Sequence, residues 1–231
     1  MESSESHNAS QTRAEEVLQA LLEGNRRFQK GSPQHPRCRP TRRNDLLGGQ
    51  HPIAAVLGCS DSRIPPEILF DQGLGDFFVV RVAGNVVGPF VLASLEYAAI
   101  HLETPLIVVL GHSSCGAIIA ALASDRKAQV DSEVPGRNDR KASESGAALM
   151  KALRPAIETA RAGALETASG GELIDQIALV HARAVKGEIV SRSPLIARRL
   201  DAGKLALAAA FYDMRTGGVT ILRSRGSSAT L

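Results

Sequence analysis

The sequence of 231 residues contains no tryptophan and only three cysteines, and it has no apolar run long enough to span a membrane. So few cysteines exclude a disulfide framework, which makes a reducing cytoplasm the predicted compartment. Aromatic residues make up only 3% of the chain, and none interleaves with the basic cluster His35-Pro-Arg-Cys-Arg-Pro-Thr-Arg-Arg43. The cluster therefore predicts a solvated or oligomer-facing loop, and we expect no nucleic-acid or membrane partner.

The composition is that of one globular domain. Hydrophobic residues make up 44% of the chain, charged residues 22%, and the formal net charge is +3, so a substantial core can be buried. Residues 1–12 are polar and acidic, without the basic start and apolar centre of a secretory signal, and are predicted to be a disordered tail. Residues 13–231 are predicted to form one α/β domain, whose first part, residues 13–30, is an amphipathic helical arm.

Strand-like and helix-like segments alternate along the chain. This alternation predicts an α/β fold with a mainly parallel sheet flanked by helices. The turn Thr216-Gly-Gly leads into Val219–Leu222 and predicts an antiparallel edge hairpin at the C-terminus. Strands are predicted at residues 53–58, 77–82, 106–111 and 205–212, helices at 65–70, 89–101, 144–162 and 172–190, and a polar loop at 121–146.

Two short segments place reactive side chains directly after apolar, β-branched runs. Cys59-Ser-Asp-Ser-Arg63 follows the first run, and His112-Ser-Ser-Cys115 follows a later one. Because loops after neighbouring parallel strands open at one edge of the sheet, Cys59, His112 and Cys115 are expected to converge. Two thiolates and one imidazole make a zinc site with a free fourth position, as in catalytic zinc centres. Cys38 has no partner at C-x-x-C spacing, so a four-cysteine structural site is excluded.

These segments are similar to the signature motifs of a known family. Gly58-Cys-Ser-Asp-Ser-Arg63 and Gly111-His-Ser-Ser-Cys-Gly-Ala117 resemble the two motifs of the β-class carbonic anhydrases. The similarity extends over nearly the whole chain. It implies a zinc enzyme that interconverts carbon dioxide and bicarbonate, needs no organic cofactor and forms a homodimer or a larger homo-oligomer. It also implies that the N-terminal helix packs on a neighbouring subunit.

Asp61 and Arg63 follow Cys59 at alternate positions. In an extended turn this spacing lets the Asp61 carboxylate face the metal while the Arg63 guanidinium forks onto it. The resemblance assigns the two positions a catalytic dyad, in which Asp61 orients the nucleophile toward the substrate. It also implies a second state in which Asp61 itself takes the fourth zinc position.

A narrow apolar substrate pocket is a further implication of the resemblance, with some of its residues supplied by a partner subunit. The implied pocket residues are Phe77, Val82, Ala83 and Tyr97, with Gln72 as a weaker candidate because its spacing to the following strand does not align cleanly. The remaining histidines of interest, His51, His101 and His181, are predicted to be surface or packing residues.

Two other functions stay open from the sequence. A carbonyl sulfide or carbon disulfide hydrolase would keep the ligands and the dyad and change only the pocket and its access channel. A non-catalytic, zinc-stabilised binding protein would have no use for an open metal position or for Asp61 and Arg63. The sequence does not distinguish a dimer from a tetramer. The family commonly uses a tryptophan in an allosteric bicarbonate pocket, and this chain has none.

Overall fold

A computed structural model describes residues 2–133, 144–163 and 170–223 of the chain. Five strands form one sheet in the order β2-β1-β3-β4-β5. The first four strands are parallel to their neighbours, and β5 is antiparallel to β4. The predicted fold class and the C-terminal edge hairpin are therefore confirmed. The strands are β1 (Ala54–Cys59), β2 (Phe77–Val82), β3 (Leu106–His112), β4 (Ala206–Asp213) and β5 (Gly218–Ile221).

Helices cover both faces of this sheet. None of the described helices is long and apolar enough to cross a membrane. The helices are α1 (Glu2–Gln29), α2 (Arg42–Asp45), α3 (Pro66–Leu69), α4 (Pro89–Ile100), α5 (Gly116–Glu133), α6 (Glu144–Gly163), α7 (Gly170–Arg192) and α8 (Pro194–Asp201), and a 3-10 turn spans Ala83–Asn85.

The core lies in two layers, one on each side of the sheet, because successive side chains of a strand point to opposite faces. On one face Val56 and Val108 pack with residues of α1, α5 and α6. On the other face Leu57 and Val109 pack with residues of α4 and α8. Helix α7 contributes to both layers. Full burial of each such side chain stabilises the fold by about 1.5–3 kcal/mol, which explains why β1 is apolar and β3 is apolar up to its last residue, His112.

Helix α1 begins at Glu2, which differs from the disordered tail predicted for residues 1–12. The polarity of this segment favoured disorder in the sequence. However, the segment contains neither proline nor glycine, so a helix nucleated by the apolar part of α1 can continue toward the N-terminus.

The second half of α1 packs against its own chain. Leu18 and Leu21 are buried in the core layer, and the Asn25 side-chain amide donates a hydrogen bond to the Leu69 carbonyl (3.0 Å). The Asn25 side-chain oxygen accepts one from the Val219 amide (2.8 Å). The apolar stripe in the second half of α1 is therefore buried by its own sheet, and packing of the helix on a neighbouring subunit stays a prediction.

A second correction concerns the loop predicted over residues 121–146. Helix α5 continues through Ala121 to Glu133, and α6 begins at Glu144. The segment is rich in charge, which favoured a loop, but it has no helix-breaking residue before Pro135. The turn Pro135-Gly136 lies outside the described residues.

Candidate metal centre

Cys59, His112 and Cys115 come together at the carboxyl edge of the sheet. Cys59 ends β1 and His112 ends β3, and these strands are neighbours. Cys115 lies three residues further on, just before α5. One ligand atom of each residue lies within 4.8 Å of the other two, and all three residues are buried. The convergence predicted from the strand-end positions is thus confirmed, and the group can hold a metal ion.

The histidine of this cluster has one ring nitrogen free for a ligand bond. Its Nδ1 lies 2.9 Å from the Ser113 carbonyl oxygen, and because a carbonyl only accepts hydrogen bonds, Nδ1 carries the proton. In the described part of the chain, the Nε2 atom of His112 is buried and has no hydrogen-bond partner. A buried unpaired acceptor is unfavourable. A metal ion bound at Nε2 removes this cost, so the residue fits a ligand role.

The two thiols ionise unequally when they share one proton. A hydrogen bond from Cys115, helped by the nearby His112 ring and the amides of Asp61 and Gly84, lowers the pKa of Cys59 to about 4. The same hydrogen bond, together with burial, raises the pKa of Cys115. Two thiolates so close repel each other, and a cation between them allows both to be ionised. The donor set therefore matches a divalent cation.

Asp61 and Arg63 form a bidentate pair next to the cluster. The Arg63 side chain donates from Nε to Asp61 Oδ1 (2.8 Å) and from Nη2 to Oδ2 (2.6 Å). The Arg63 amide donates to Oδ1 as well (3.0 Å). These hydrogen bonds hold the pKa of Asp61 well below its usual range. The predicted bidentate contact of Arg63 with Asp61 is present, and the Asp61 carboxyl group is ionised at neutral pH.

Several contacts around Cys59 were not predicted from the sequence. The Gly84 amide donates to Cys59 Sγ (3.2 Å) from a left-handed position with a φ of 64°, where glycine is unstrained. The Gly84 carbonyl lies 2.8 Å from Nε2 of the buried His181. Arg81 donates to the carbonyls of Cys59 and Asp61. The sequence predicted only a surface or packing role for His181.

The predicted pocket residues lie in different parts of the structure. Val82 pairs with Cys59 in the sheet, and Ala83 opens the 3-10 turn that contains Gly84, so both lie beside the cluster. Tyr97 lies on α4, with its ring centroid 5.9 Å from that of Phe78.

Phe77 and Gln72 lie at the opposite, amino end of β2. Phe77 pairs with Ala54, and its ring packs edge-on against Phe70 in the core (5.9 Å between centroids). Gln72 donates to the Phe70 carbonyl (3.0 Å) and accepts from Arg37 (2.9 Å). These two residues are therefore away from the cluster of their own chain. Their role in a pocket would need a second subunit, and it stays a prediction.

Comparison with known proteins identifies the family. The family model for carbonic anhydrase matches residues 54–219, a range that includes both motifs. The chain belongs to the carbonic anhydrase family. Carbonic anhydrase 2 of Mycobacterium tuberculosis is 41% identical to it over 198 residues, which cover 86% of this chain and 87% of that protein. The carbonic anhydrase of Mycolicibacterium smegmatis is 41% identical over 202 residues, or 87% and 90% of the two chains.

Solved structures show the class within the carbonic anhydrases. A tetrameric β-carbonic anhydrase of Sordaria macrospora superposes with a TM-score of 0.67 at 26% identity, covering 80% of this chain and 87% of that one. The β-carbonic anhydrase of Coccomyxa, solved in complex with acetazolamide, gives 0.65 at 26% identity, covering 87% and 84%. The resemblance to the β class is confirmed.

Proposed function

We propose that this carbonic anhydrase hydrates carbon dioxide reversibly to bicarbonate and a proton, at a zinc ion held by Cys59, His112 and Cys115. The observation that carries the proposal is the buried group of two thiols and one imidazole at the carboxyl edge of the sheet. Membership of the carbonic anhydrase family supports the reaction.

Zinc is the proposed ion because of the donor set. Zinc is bound by thiolate sulfur at about 2.3 Å and by imidazole nitrogen at about 2.0–2.1 Å, and its catalytic sites keep three protein ligands and one open position. In a tetrahedron with such bonds the ligand atoms are roughly 3.5–3.8 Å apart, which is compatible with the 4.8 Å limit within which these atoms lie. When bound, zinc lowers the pKa of water and so supplies a nucleophile near neutral pH.

The Asp61 carboxylate is proposed to orient this nucleophile. An ionised carboxylate offers about four acceptor positions, two on each oxygen. The Arg63 amide and Nε occupy those of Oδ1, and Arg63 Nη2 occupies one on Oδ2. One position on Oδ2 is left to accept a proton donor. Because the pKa of Asp61 is low, the group acts as an acceptor that holds the nucleophile and does not itself give up a proton.

We also propose that the enzyme is a homodimer or a larger homo-oligomer. Large apolar side chains such as Leu47 and Phe90 are almost fully exposed in the single chain, and such surface is typical of protein contacts. The related enzyme of Sordaria macrospora is tetrameric. A subunit contact could also bring Phe77 and Gln72 of one chain to the pocket of another. The cytoplasmic location stays a prediction.

The other functions considered from the sequence gain no support. No observation on the described residues favours hydrolysis of carbonyl sulfide or carbon disulfide, and none favours a non-catalytic zinc protein. An assay of both carbon dioxide hydration and carbonyl sulfide hydrolysis on one preparation separates these possibilities directly.

The proposal is tested by cysteine substitution. Cys59→Ser and Cys115→Ser each remove one ligand, and the exposed Cys38→Ser is the matched control. We expect wild type and Cys38→Ser to hold about one zinc per chain and to hydrate carbon dioxide in a stopped-flow indicator assay. Both ligand variants should lose metal and activity together. A Cys115→Ser protein with full zinc content and wild-type turnover would contradict the assignment.

A further inference from the structure

One of the two residues between the proposed ligands of the second motif has an unusual backbone conformation. Ser114 lies between His112 and Cys115 with a φ of 53°, in the left-handed region that residues other than glycine seldom adopt. Such a conformation persists only where neighbouring groups hold it in place. The groups that hold Ser114 therefore determine how far apart the two ligands lie.

The Ser114 backbone is held on both sides. Its amide donates a hydrogen bond to Asp175 Oδ1 on α7 (2.8 Å), 61 residues away in the sequence. Its carbonyl oxygen lies 3.4 Å from Arg63 Nη2, the same nitrogen that donates to Asp61. One residue thus connects helix α7, the loop of the second motif and the dyad of the first.

The Asp175 carboxylate is itself fixed. Its second oxygen accepts a hydrogen bond from Arg215 Nη2 (3.0 Å), in the turn between β4 and β5. The Asp175 side chain is only 15% exposed, whereas Arg215 is 77% exposed. An exposed arginine contributes little by its charge. The hydrogen bond from the Ser114 amide is charge-assisted and, at 2.8 Å, shorter than the contact with Arg215, so it is the contact by which Asp175 acts on the loop.

We infer that Asp175 is a positioning residue for the metal centre. It holds the Ser114 peptide so that His112 and Cys115 keep the separation that one ion requires, and so that the Ser114 carbonyl stays within reach of Arg63. Without this acceptor the loop can relax from the left-handed conformation, and the two ligands then move relative to each other. The inference rests on the proposed function, since it assigns Asp175 to the support of that same site.

Two substitutions at one position separate the hydrogen bond from the charge. Asp175→Asn keeps a side-chain oxygen that can accept from the Ser114 amide, whereas Asp175→Ala removes it, and both abolish the negative charge. Loss of a group that orients a metal ligand typically reduces metal affinity or activity about 10–100-fold. We expect a loss of that size in zinc affinity for Asp175→Ala and recovery of most of it in Asp175→Asn.

The matched control is Glu188→Ala on the same helix. Glu188 also accepts from an arginine, Arg192 (2.5 Å), but both side chains are exposed. Zinc affinity is measured on the full-length proteins by competition with a chromophoric chelator, together with kcat, KM and thermal melting. We expect Asp175→Ala to lose zinc affinity and kcat with KM little changed, and Glu188→Ala to match wild type in all three.

Three results would overturn the inference. If wild type binds zinc and Asp175→Ala binds it within about twofold of wild type, well short of the loss expected for a positioning group, only the role of Asp175 fails. If Asp175→Asn loses as much affinity as Asp175→Ala, the charge matters and the hydrogen bond to Ser114 does not. If wild type binds no zinc, the proposed function fails along with the inference.

Discussion

Two carboxylate–arginine pairs of this protein have the same 2.6 Å distance between an arginine nitrogen and a carboxylate oxygen, but they lie in different surroundings. Asp61 and Arg63 lie beside the metal centre, and Asp71 and Arg27 join α1 to the loop that precedes β2. In the first pair every donor to the carboxylate among the described residues belongs to Arg63, two residues away. Opening the pair therefore changes contacts within the loops of the metal centre, including the 3.4 Å contact of Arg63 Nη2 with the Ser114 carbonyl oxygen.

The second pair connects three distant parts of the chain. Asp71 accepts from Arg27 Nε (2.6 Å) and from the amides of Gln34 and His35 (2.9 Å each). Its side chain is 0% exposed. Burial opposes ionisation, but the Gln34 amide, Arg27 and the His35 amide outweigh it and lower the pKa of Asp71. The comparison shows that the source of the donors, local or distant, decides whether such a pair serves chemistry or stability.

The largest effect is expected from Arg63→Ala. Without the Arg63 guanidinium, Asp61 loses the hydrogen bonds that hold it in place. Loss of a group that stabilises the transition state typically lowers kcat about 100-fold or more. Zinc content should stay close to the wild-type value, because Arg63 is not a proposed ligand and Asp175 still holds the Ser114 amide, and the melting temperature should change little, because the Arg63 side chain is exposed. Stopped-flow hydration, metal analysis and thermal melting check the three expectations. An Arg63→Ala enzyme with wild-type turnover would rule out the dyad.

The reverse pattern is expected from Asp71→Asn. Neutralising this buried carboxylate leaves Arg27 without its ion pair, and because Arg27 is 28% exposed we expect a loss of about 2–3 kcal/mol, below the full cost of breaking a buried pair. For a chain of this size that corresponds to a fall of roughly 4–12 °C in melting temperature. The kcat of the folded enzyme should not change. A variant that melts like wild type but turns over slowly would contradict the comparison.

Stability measurements at acid pH test the prediction for Asp71→Asn further. A carboxylate whose pKa is lowered by folding adds stability above the unfolded pKa of about 3.9, and this stability is lost as pH falls through the lower folded pKa. The difference in unfolding free energy between wild type and Asp71→Asn should therefore be constant near neutral pH and shrink below about pH 4. Urea unfolding of both proteins across this range measures it. A constant difference at all pH values would mean that the charge of Asp71 is irrelevant.

The convergence of the three proposed ligands could be predicted from sequence because each lies at or just after the end of a strand. An apolar run indicates where the strand ends; Cys59 and His112 lie at those ends, and Cys115 follows His112 by three residues. The supports of the ligands could not be predicted in this way. His181 contacts Gly84 across 97 residues and Asp175 contacts Ser114 across 61, and no local pattern marks these pairs. They depend on how α7 packs on the sheet.

Local sequence patterns also explain where the fold predictions went wrong. The polar segment over residues 121–133 was predicted to be a loop, yet it continues helix α5 because nothing in it breaks a helix. The apolar stripe of α1 was correctly recognised, but the sequence alone does not say which surface buries it. Leu21 is buried against its own sheet. Amphipathic patterns predict a buried face, and the partner of that face is set by the tertiary structure.

The smallest effect is expected from Arg26→Ala, which is the reference for Arg27→Ala. Both arginines lie in the last turn of α1, where a positive charge is favourable by about 0.3–1 kcal/mol. Arg26 makes an exposed contact with Glu23 at 3.7 Å, worth about 0.2–1 kcal/mol at most, whereas Arg27 reaches the buried Asp71. We therefore expect Arg26→Ala to lower the unfolding free energy by about 0.5 kcal/mol and Arg27→Ala to lower it by about 2–3 kcal/mol, with neither variant changing kcat. Both variants lose a positive charge at the end of the helix, so the difference between their unfolding free energies, measured by chemical denaturation under the same conditions, leaves this common contribution out. Equal losses would show that Asp71 adds nothing beyond that contribution, and the contrast between the two pairs would then rest on Arg63 alone.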